Sequence, residues 1–302
     1  MRSCELKAPD FNLDQTLRSG QVFHWEKNGE EWEGLIGGFA EKSKVSFRQN
    51  FISERAVKIR QVADRLYVKG ANAKEISRYF SLDHSLPTIY QSFPADTFSQ
   101  AAVVNCRGLR ILRQPLWECL ATFLFSSMKQ VAHIRKISLF LREHYGEKIS
   151  FSKINAFPSP ERIADLDEAS LRACGLGYRA KNFQLTARAV ASGDCDLELL
   201  KKLPTSELGK SLQALPGIGP KVAACVMLFA YERLECVPVD VWIDRVIRLQ
   251  LDKKKTAKLS KKDREKFIAS LGAYAGYLQQ YWFHSARIHG ALETVKASVT
   301  AT

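Results

Sequence analysis

The segment LPGIGPKVA, residues 215–223, indicates the end of one helix, a glycine hairpin and the start of a second helix. Gly217 and Gly219 permit a tight turn and leave backbone N–H groups open to a closely approaching ligand. Pro220 suits the first position of the second helix. Because exposed amides and a helix N-terminus both attract anions, the segment predicts a phosphate cradle. The alternative is a packing corner between two helices that binds nothing.

Lys221 lies just inside the second helix of this motif. A helix N-terminus disfavours a cation, so this position favours a neutral amine. A neutral lysine amine is a nucleophile that forms Schiff bases with carbonyl-like carbons. The alternative role is a lysine that binds phosphate on the hairpin.

A carboxylate follows in the segment VPVDV, residues 237–241. Asp240 stands between apolar residues just before the next expected helix and could cap it. It could also stabilise positive charge that develops on a sugar, or move protons. The two roles are compatible.

The chain of 302 residues carries a net charge of +13. A basic balance of this size favours polyanionic partners, because each neutralised phosphate releases counterions. A merely soluble basic protein is the alternative. The basic run at 253–266 favours a solvated loop and helix start, and the alternative is a secondary DNA contact.

Cysteine and histidine usage argues against a metal or a cofactor. The count of seven cysteines is odd and no C-x-x-C pair occurs, so neither a disulfide framework nor a zinc site is expected. No nucleotide-binding glycine loop is present. The N-terminus lacks the apolar core of a signal peptide and no segment has membrane-span length, so we expect an intracellular, DNA-associated protein.

Two regions differ in their pattern. Residues 1–100 contain short alternating runs that predict an antiparallel sheet, with a helix over 73–80. The strand-like runs are at residues 31–36, 44–47 and 65–68. Residues 101–302 carry apolar residues at helical spacing. The sequence therefore predicts an α+β fold, with an N-terminal antiparallel sheet domain over 1–100 and a mostly α-helical domain over 101–302.

With its hairpin, Lys221 and Asp240, the chain resembles the helix–hairpin–helix DNA glycosylase superfamily. It is most similar to the 8-oxoguanine DNA glycosylase/AP lyase family, and the likeness spans nearly the whole chain. Family motifs are matched by residues 19–25 (SGQVFHW), 79–83 (YFSLD), 108–114 (GLRILRQ), 176–180 (LGYRA) and 274–277 (YAGY). The resemblance implies base excision repair on damaged double-stranded DNA, by an enzyme that is a monomer.

The resemblance also implies roles for single residues. Lys221 would displace the base and hold the sugar as a Schiff base, with assistance from Asp240. Gly20 would accept a hydrogen bond from the N–H that distinguishes 8-oxoguanine from guanine. Phe283 and Cys225 would sandwich the flipped base.

Further roles concern the base edge and the duplex. Gln279 would bond the Watson–Crick edge of the flipped base. Tyr178 would wedge into the base stack and Arg179 would contact the orphaned cytosine, because base flipping costs a few kcal/mol that such contacts offset. Gly217 and Gly219 would hold the DNA backbone.

The chain departs from the family near the opposite base. Met128-Lys129-Gln130 stands where the family usually carries asparagines, and Lys129 or Gln130 could replace some of their contacts. His133 replaces an arginine that reads cytosine, and Trp242 replaces a histidine near a DNA phosphate. These changes predict a weaker preference for cytosine opposite the lesion.

Two other functions remain open. One is a monofunctional glycosylase for alkylated bases, which works without the lysine, and the other is a non-catalytic DNA-binding module. No cysteine follows Cys236, so the iron–sulfur cluster of endonuclease III-like relatives is not expected.

Overall fold

The computed structural model describes residues 2–37, 54–126, 130–251 and 259–289. Within these ranges the N-terminal part forms a five-stranded antiparallel sheet in the order β1-β5-β4-β3-β2. The strands are β1 (Ser3–Lys7), β2 (Glu26–Asn28), β3 (Glu31–Gly37), β4 (Glu54–Val62) and β5 (Arg65–Lys69). The predicted antiparallel sheet is confirmed. The strand-like run at 44–47 lies outside the described residues.

One face of the sheet is buried, and it holds the segment that precedes β2. Ile59 of β4 pairs with Val68 of β5, and both side chains are buried. The Trp25 indole packs directly on the sheet at Gly34 of β3. A side chain there would not fit, since a Cβ would lie 2.3 Å from the indole ring. Trp25 Nε1 donates to Tyr79 Oη at 3.0 Å. These contacts fix the position of residues 19–25, the segment that contributes one wall of the cavity at the candidate active site.

Helices make up the rest of the described fold. The first four are α1 (Leu13–Arg18), α2 (Ala73–Tyr79), α3 (Leu86–Gln91) and α4 (Thr97–Asn105). The others are α5 (Leu116–Leu124), α6 (Val131–Tyr145), α7 (Pro160–Ala164), α8 (Glu168–Leu171), α9 (Arg179–Ser192), α10 (Thr205–Gln213), α11 (Pro220–Ala230), α12 (Val241–Gln250), α13 (Lys261–Ser270) and α14 (Ala275–His289). A π-helical turn covers Arg172–Leu176 and a 3-10 helix covers Leu199–Lys202. The α+β class is confirmed.

The predicted helix at 73–80 is α2, and its start has a specific cause. Glu75 N donates to Asn72 Oδ1 at 3.0 Å, and Asn72 N donates to Glu75 Oε2 at 3.0 Å. This reciprocal capping box satisfies N–H groups that a helix start leaves unpaired. Among the helices that the structure describes, none is both long enough and apolar enough to cross a membrane.

The two parts of the chain share their packing. Phe23, Leu86 and Phe98 are buried in the core of the helical part, while Leu112 packs into the core beneath the sheet. Helix α4 packs against α14, where Trp282 Nε1 donates to a buried hydroxyl at 3.1 Å. A division of the chain into domains at residue 100 stays a prediction.

A buried ion cluster joins the sheet to the helices. Arg142 of α6 donates from Nη1 to Glu54 Oε2 of β4 at 2.8 Å, and from Nη2 to Glu118 of α5. His24 Nδ1 lies 3.1 Å from Glu118 Oε1. Burial opposes ionisation of Glu118, but attraction to Arg142 outweighs it and lowers the pKa of this carboxyl. Burial raises the pKa of Glu54, although the charge of Arg142 acts in the opposite direction.

Replacing Arg142 by Met is expected to lower the free energy of unfolding by about 3–5 kcal/mol, because two buried carboxyls lose their partner. Urea unfolding measures the change. The matched control is Arg172→Met, since Arg172 and Glu168 form an ion pair with side chains 53% and 38% exposed. The control should cost about 1 kcal/mol or less. Equal effects of the two variants would contradict a structural role for the cluster.

Candidate active site

A cavity of about 470 Å³ lies between residues 20–23, the end of α5, the start of α6, α11, the start of α12 and α14. It brings together residues that the sequence analysis assigned to catalysis, to the base pocket and to DNA binding. They are Gly20, Gln130, Lys221, Cys225, Asp240, Trp242, Gln279 and Phe283. Lys129 lies outside the described residues, as do residues 253–258 of the basic run.

The glycine hairpin connects α10 to α11 as the sequence predicted, and its two glycines differ in use. Gly217 has φ +81°, and a Cβ there would be 2.9 Å from Asn182 Cβ of α9. A Cβ at Gly219 would meet no described atom within 4 Å. No described side chain caps α11, so its first N–H groups are available to an anion. Gly217 therefore shapes the turn, and Gly219 leaves its surface open.

Lys221 reaches the cavity from the first turn of α11. Its Nζ donates to Ser126 Oγ at 3.2 Å and lies 5.5 Å from the centroid of the Phe123 ring. Ser126 Oγ donates to the Phe123 carbonyl at 2.7 Å, so it acts as an acceptor toward the amine. Ser126 is buried and was not among the residues predicted from sequence, because nothing in its local pattern marks it.

Asp240 caps α12 and lines the cavity with the same side chain. Its Oδ1 accepts from Trp242 N and from Ile243 N, both at 2.9 Å. Within the described residues this leaves Oδ2 available to the cavity. The helix cap holds the carboxylate in place, so capping and a chemical role occur together here.

Apolar and neutral groups form the inner walls. Burial raises the pKa of the Cys225 thiol, although the charge of Lys221 acts in the opposite direction. Cys225 lies one helical turn after Lys221, so the two share a face of α11. Gln279 is 4% exposed, and its Oε1 is buried without a hydrogen-bond partner in the described structure. Phe283, half-buried, follows Gln279 by one turn of α14.

Gly20 forms the wall that faces α14. Its φ is +81°, and a Cβ there would lie 3.2 Å from Val131 Cγ2 and 3.5 Å from Phe283 Cε1. The neighbouring backbone is held from both sides. Gln280 Nε2 donates to the Ser19 carbonyl at 2.9 Å. Gln21 Nε2 donates to the Arg110 carbonyl at 2.8 Å.

The remaining predicted DNA contacts lie outside the cavity. Tyr178 is 65% exposed, and the Arg179 guanidinium lies 4.2 Å from the centroid of its ring. Arg179 itself is buried. His133 is exposed on α6 and does not line the cavity. A lining residue that the sequence did not single out is Arg287 of α14.

Metal ligands are not grouped in the part of the chain that the structure describes. It contains no cluster of three or more His, Cys, Asp or Glu side chains that could hold a metal ion. The seven cysteines are free thiols.

The fold and the cavity are those of a helix–hairpin–helix DNA glycosylase. Residues 3–120 match the family model for the N-terminal domain of 8-oxoguanine DNA glycosylase. Residues 123–270 match the model for the HhH-GPD superfamily of base excision DNA repair proteins. The chain is 32% identical over 294 residues to N-glycosylase/DNA lyase OGG1 of Arabidopsis thaliana, covering 92% of this chain and 78% of that protein. The chain belongs to the 8-oxoguanine DNA glycosylase family.

Solved structures agree with this assignment. MBOgg1, in complex with a low-affinity DNA ligand, is 28% identical with a TM-score of 0.84, covering 96% of this chain and 97% of its own. The 8-oxoguanine glycosylase/lyase of Clostridium acetobutylicum is 26% identical with a TM-score of 0.81, covering 95% and 98%. The latter structure holds double-stranded DNA with cytosine opposite 8-oxoguanine.

Gly20→Ala is expected to lower the rate of base excision about tenfold or more, because its methyl group would displace Phe283 or Val131 from the cavity wall. The matched control is Gly29→Ala. Gly29 has φ +59°, but a Cβ there would meet no described atom within 4 Å. Both variants should lose about 1 kcal/mol of stability through backbone strain. Single-turnover kinetics separates them, and equal excision rates would contradict the placement of Gly20 in the base pocket.

Proposed function

We propose that this protein excises 8-oxoguanine from damaged double-stranded DNA and then cleaves the strand, using Lys221 as the nucleophile. One observation carries the proposal. The Lys221 amine, the Asp240 carboxylate and a set of groups suited to a purine line the same cavity of about 470 Å³. A cavity of this volume falls within the range of sites that bind small ligands.

The first step is base displacement. The neutral amine of Lys221 attacks C1′ of the flipped nucleotide, the bond between C1′ and the base nitrogen breaks, and the base leaves with a proton. Ser126 Oγ, which accepts from Nζ at 3.2 Å, holds the amine against the cavity wall. The C1′–O4′ bond then breaks, O4′ takes a proton from water, and the nitrogen lone pair forms a protonated imine that links C1′ to Lys221.

Asp240 stabilises the positive charge that develops on the sugar. A carboxylate held by two backbone N–H groups needs little reorganisation, so it stabilises positive charge in the transition state. The same group assists the second step. A proton is removed from C2′, the C3′–O bond breaks by β-elimination, and the strand is cut while the imine acts as the electron acceptor.

The walls of the cavity select the base. Phe283 and Cys225 would stack on its two faces, and the unpartnered Gln279 Oε1 would accept from its Watson–Crick edge. The Gly20 carbonyl would accept from the N7–H that an 8-oxopurine has and guanine lacks. A site that hydrogen-bonds a substrate N–H rejects an analogue without it, because the buried acceptor is then left unpaired.

The outer residues hold the duplex. The open N–H groups at Gly219 and the start of α11 would bind a backbone phosphate. Tyr178, exposed and stacked against Arg179, would fill the gap that the flipped base leaves, and Arg179 would contact the orphaned base. We propose that the protein acts as a monomer, since base flipping needs only this one cavity.

The two alternatives make different predictions. A monofunctional glycosylase for alkylated bases would not need an amine in contact with the cavity, and a non-catalytic module would need the hairpin alone. The contact of Lys221 with Ser126 inside the cavity favours the bifunctional enzyme.

Borohydride is expected to trap a covalent adduct between this protein and a duplex that carries 8-oxoguanine, because it reduces the imine. Lys221→Gln should abolish the adduct. Lys210→Gln, the same change at an exposed position of α10, should leave it intact. Gel electrophoresis under denaturing conditions measures it. An adduct that persists in Lys221→Gln would overturn the proposed nucleophile.

Asp240→Asn refines this experiment. Asparagine is also a good helix cap, so the variant keeps the α12 cap and removes the charge. Its thermal unfolding should match that of the parent protein while its adduct forms more slowly. A change in stability without a change in rate would reduce Asp240 to a structural role.

Excision of 8-oxoguanine is expected to differ by less than about tenfold among the four opposing bases. A factor of ten in rate is roughly what one hydrogen bond to the opposing base would contribute. The reason is that His133, exposed on α6, replaces the family arginine that reads cytosine. Single-turnover rates on four duplexes measure the preference. A steep preference for cytosine would refute the prediction.

A further inference from the structure

Arg287 lines the same cavity as Lys221 and has no role in the steps described so far. Its Nη2 donates to the Arg18 carbonyl and to His284 Nδ1, the latter at 3.2 Å. These two contacts hold the guanidinium at the edge of the cavity.

A chain of hydrogen bonds behind Arg287 defines the state of His284. Gln15 Nε2 donates to the Asn105 carbonyl at 3.1 Å, so Gln15 Oε1 is the atom that faces His284 Nε2, at 2.6 Å. A guanidinium can only donate, so His284 Nδ1 accepts and Nε2 carries the hydrogen. His284 is fully buried, which makes this arrangement a fixed support for Arg287.

The other terminal nitrogen of Arg287 lies toward Gly20. Its Nη1 would be 3.7 Å from a Cβ built on Gly20, and its Cζ is 5.7 Å from the centroid of the Phe283 ring. Desolvation by burial lowers the pKa of Arg287, and no carboxylate among the described residues forms an ion pair with it. A buried guanidinium that lacks an ion-pair partner is stabilised when a ligand supplies an oxygen acceptor for its N–H groups.

We propose that Arg287 is a specificity-determining residue, whose Nη1 donates a hydrogen bond to the carbonyl oxygen on C8 of the flipped oxidised purine. The inference rests on the function proposed above, in which Gly20 faces the imidazole edge of the base. Gln279 occupies the Watson–Crick edge, and the position of Nη1 beside Gly20 assigns Arg287 to the opposite edge.

Together the Gly20 carbonyl and Arg287 offer one hydrogen-bond acceptor and one donor, which is the pattern that an oxidised purine edge requires. An 8-oxopurine presents an N–H and a carbonyl oxygen side by side, and a formamidopyrimidine presents the same two groups. The Gly20 carbonyl accepts from the first and Arg287 donates to the second. Undamaged guanine presents an acceptor nitrogen and a C–H, so the Gly20 carbonyl and that nitrogen repel each other.

The test measures equilibrium binding in a Lys221→Gln background, so that no cleavage occurs. Three duplexes are compared, carrying 8-oxoguanine, 8-thioguanine or a tetrahydrofuran abasic analogue. Adding Arg287→Met is expected to weaken binding of 8-oxoguanine about 10- to 100-fold, the range for a hydrogen bond from a charged donor. Binding of the abasic duplex should change less than about threefold, because it has no base to contact.

The sulfur analogue locates the contact on the base. Sulfur accepts hydrogen bonds weakly, so the preference for oxygen over sulfur at C8 should shrink in Arg287→Met. An unchanged preference would place the contact elsewhere on the base and overturn the proposal. Equal losses on the abasic duplex would also overturn it, since they would indicate a phosphate contact or a damaged fold.

Two controls separate this inference from the proposed function. Arg172→Met, at an exposed arginine outside the cavity, should leave all three affinities unchanged. With Lys221 restored and Arg287 intact, excision of 8-oxoguanine tests the proposed function alone. If excision occurs and Arg287→Met leaves 8-oxoguanine binding unaffected, only the role of Arg287 is wrong.

Discussion

The buried contact of Arg142 with Glu54 and Glu118 is the constraint on which the arrangement of the cavity depends. It ties β4 to α5 and α6, and His24 joins the same cluster. Gly20 lies four residues before His24, so the cluster sets the distance between the N-terminal wall and the helices. Charged groups held in a buried site need defined partners and geometry, which a purely apolar contact between the two parts would not require.

The cavity depends on this constraint because its groups come from distant parts of the chain. Lys221 stands on α11, its acceptor Ser126 follows α5, and Gly20 lies in the segment before β2. Gln280 reaches from α14 to the Ser19 carbonyl, which adds a second fixed point. A shift of about 1 Å between reacting groups can cost a hundredfold in rate, so these supports bear directly on catalysis.

Local patterns predicted the sheet and α2, and they marked Lys221 and Asp240, which line one cavity in the structure. The hairpin, Lys221 and Asp240 carry their signals within a few residues, and α2 begins at a capping box that is visible in the sequence. Ser126 and Arg287 carry no such signal. Ser126 Oγ accepts a hydrogen bond from the Lys221 amine because its own hydrogen is donated to the Phe123 carbonyl. The amine comes from a different helix, so the local sequence around Ser126 does not show this contact. Arg287 resembles any basic residue on a helix until His284, Gln15 and the Arg18 carbonyl are seen to hold it.

The proposed function separates affinity for DNA from selectivity for the lesion. In that proposal the open N–H groups of the hairpin would bind any backbone phosphate, so they would supply contact with DNA of every sequence. Flipping a base then costs a few kcal/mol, which contacts inside the cavity and the exposed Tyr178 would offset together. Stacking on Phe283 would be nearly the same for any purine. Discrimination therefore falls to the hydrogen-bonding groups at the base edges, where a mismatched edge leaves a buried donor or acceptor unpaired. If the wall that carries Gly20 and Arg287 meets the edge that oxidation changes, as we propose, lesion choice is decided there rather than at the hairpin.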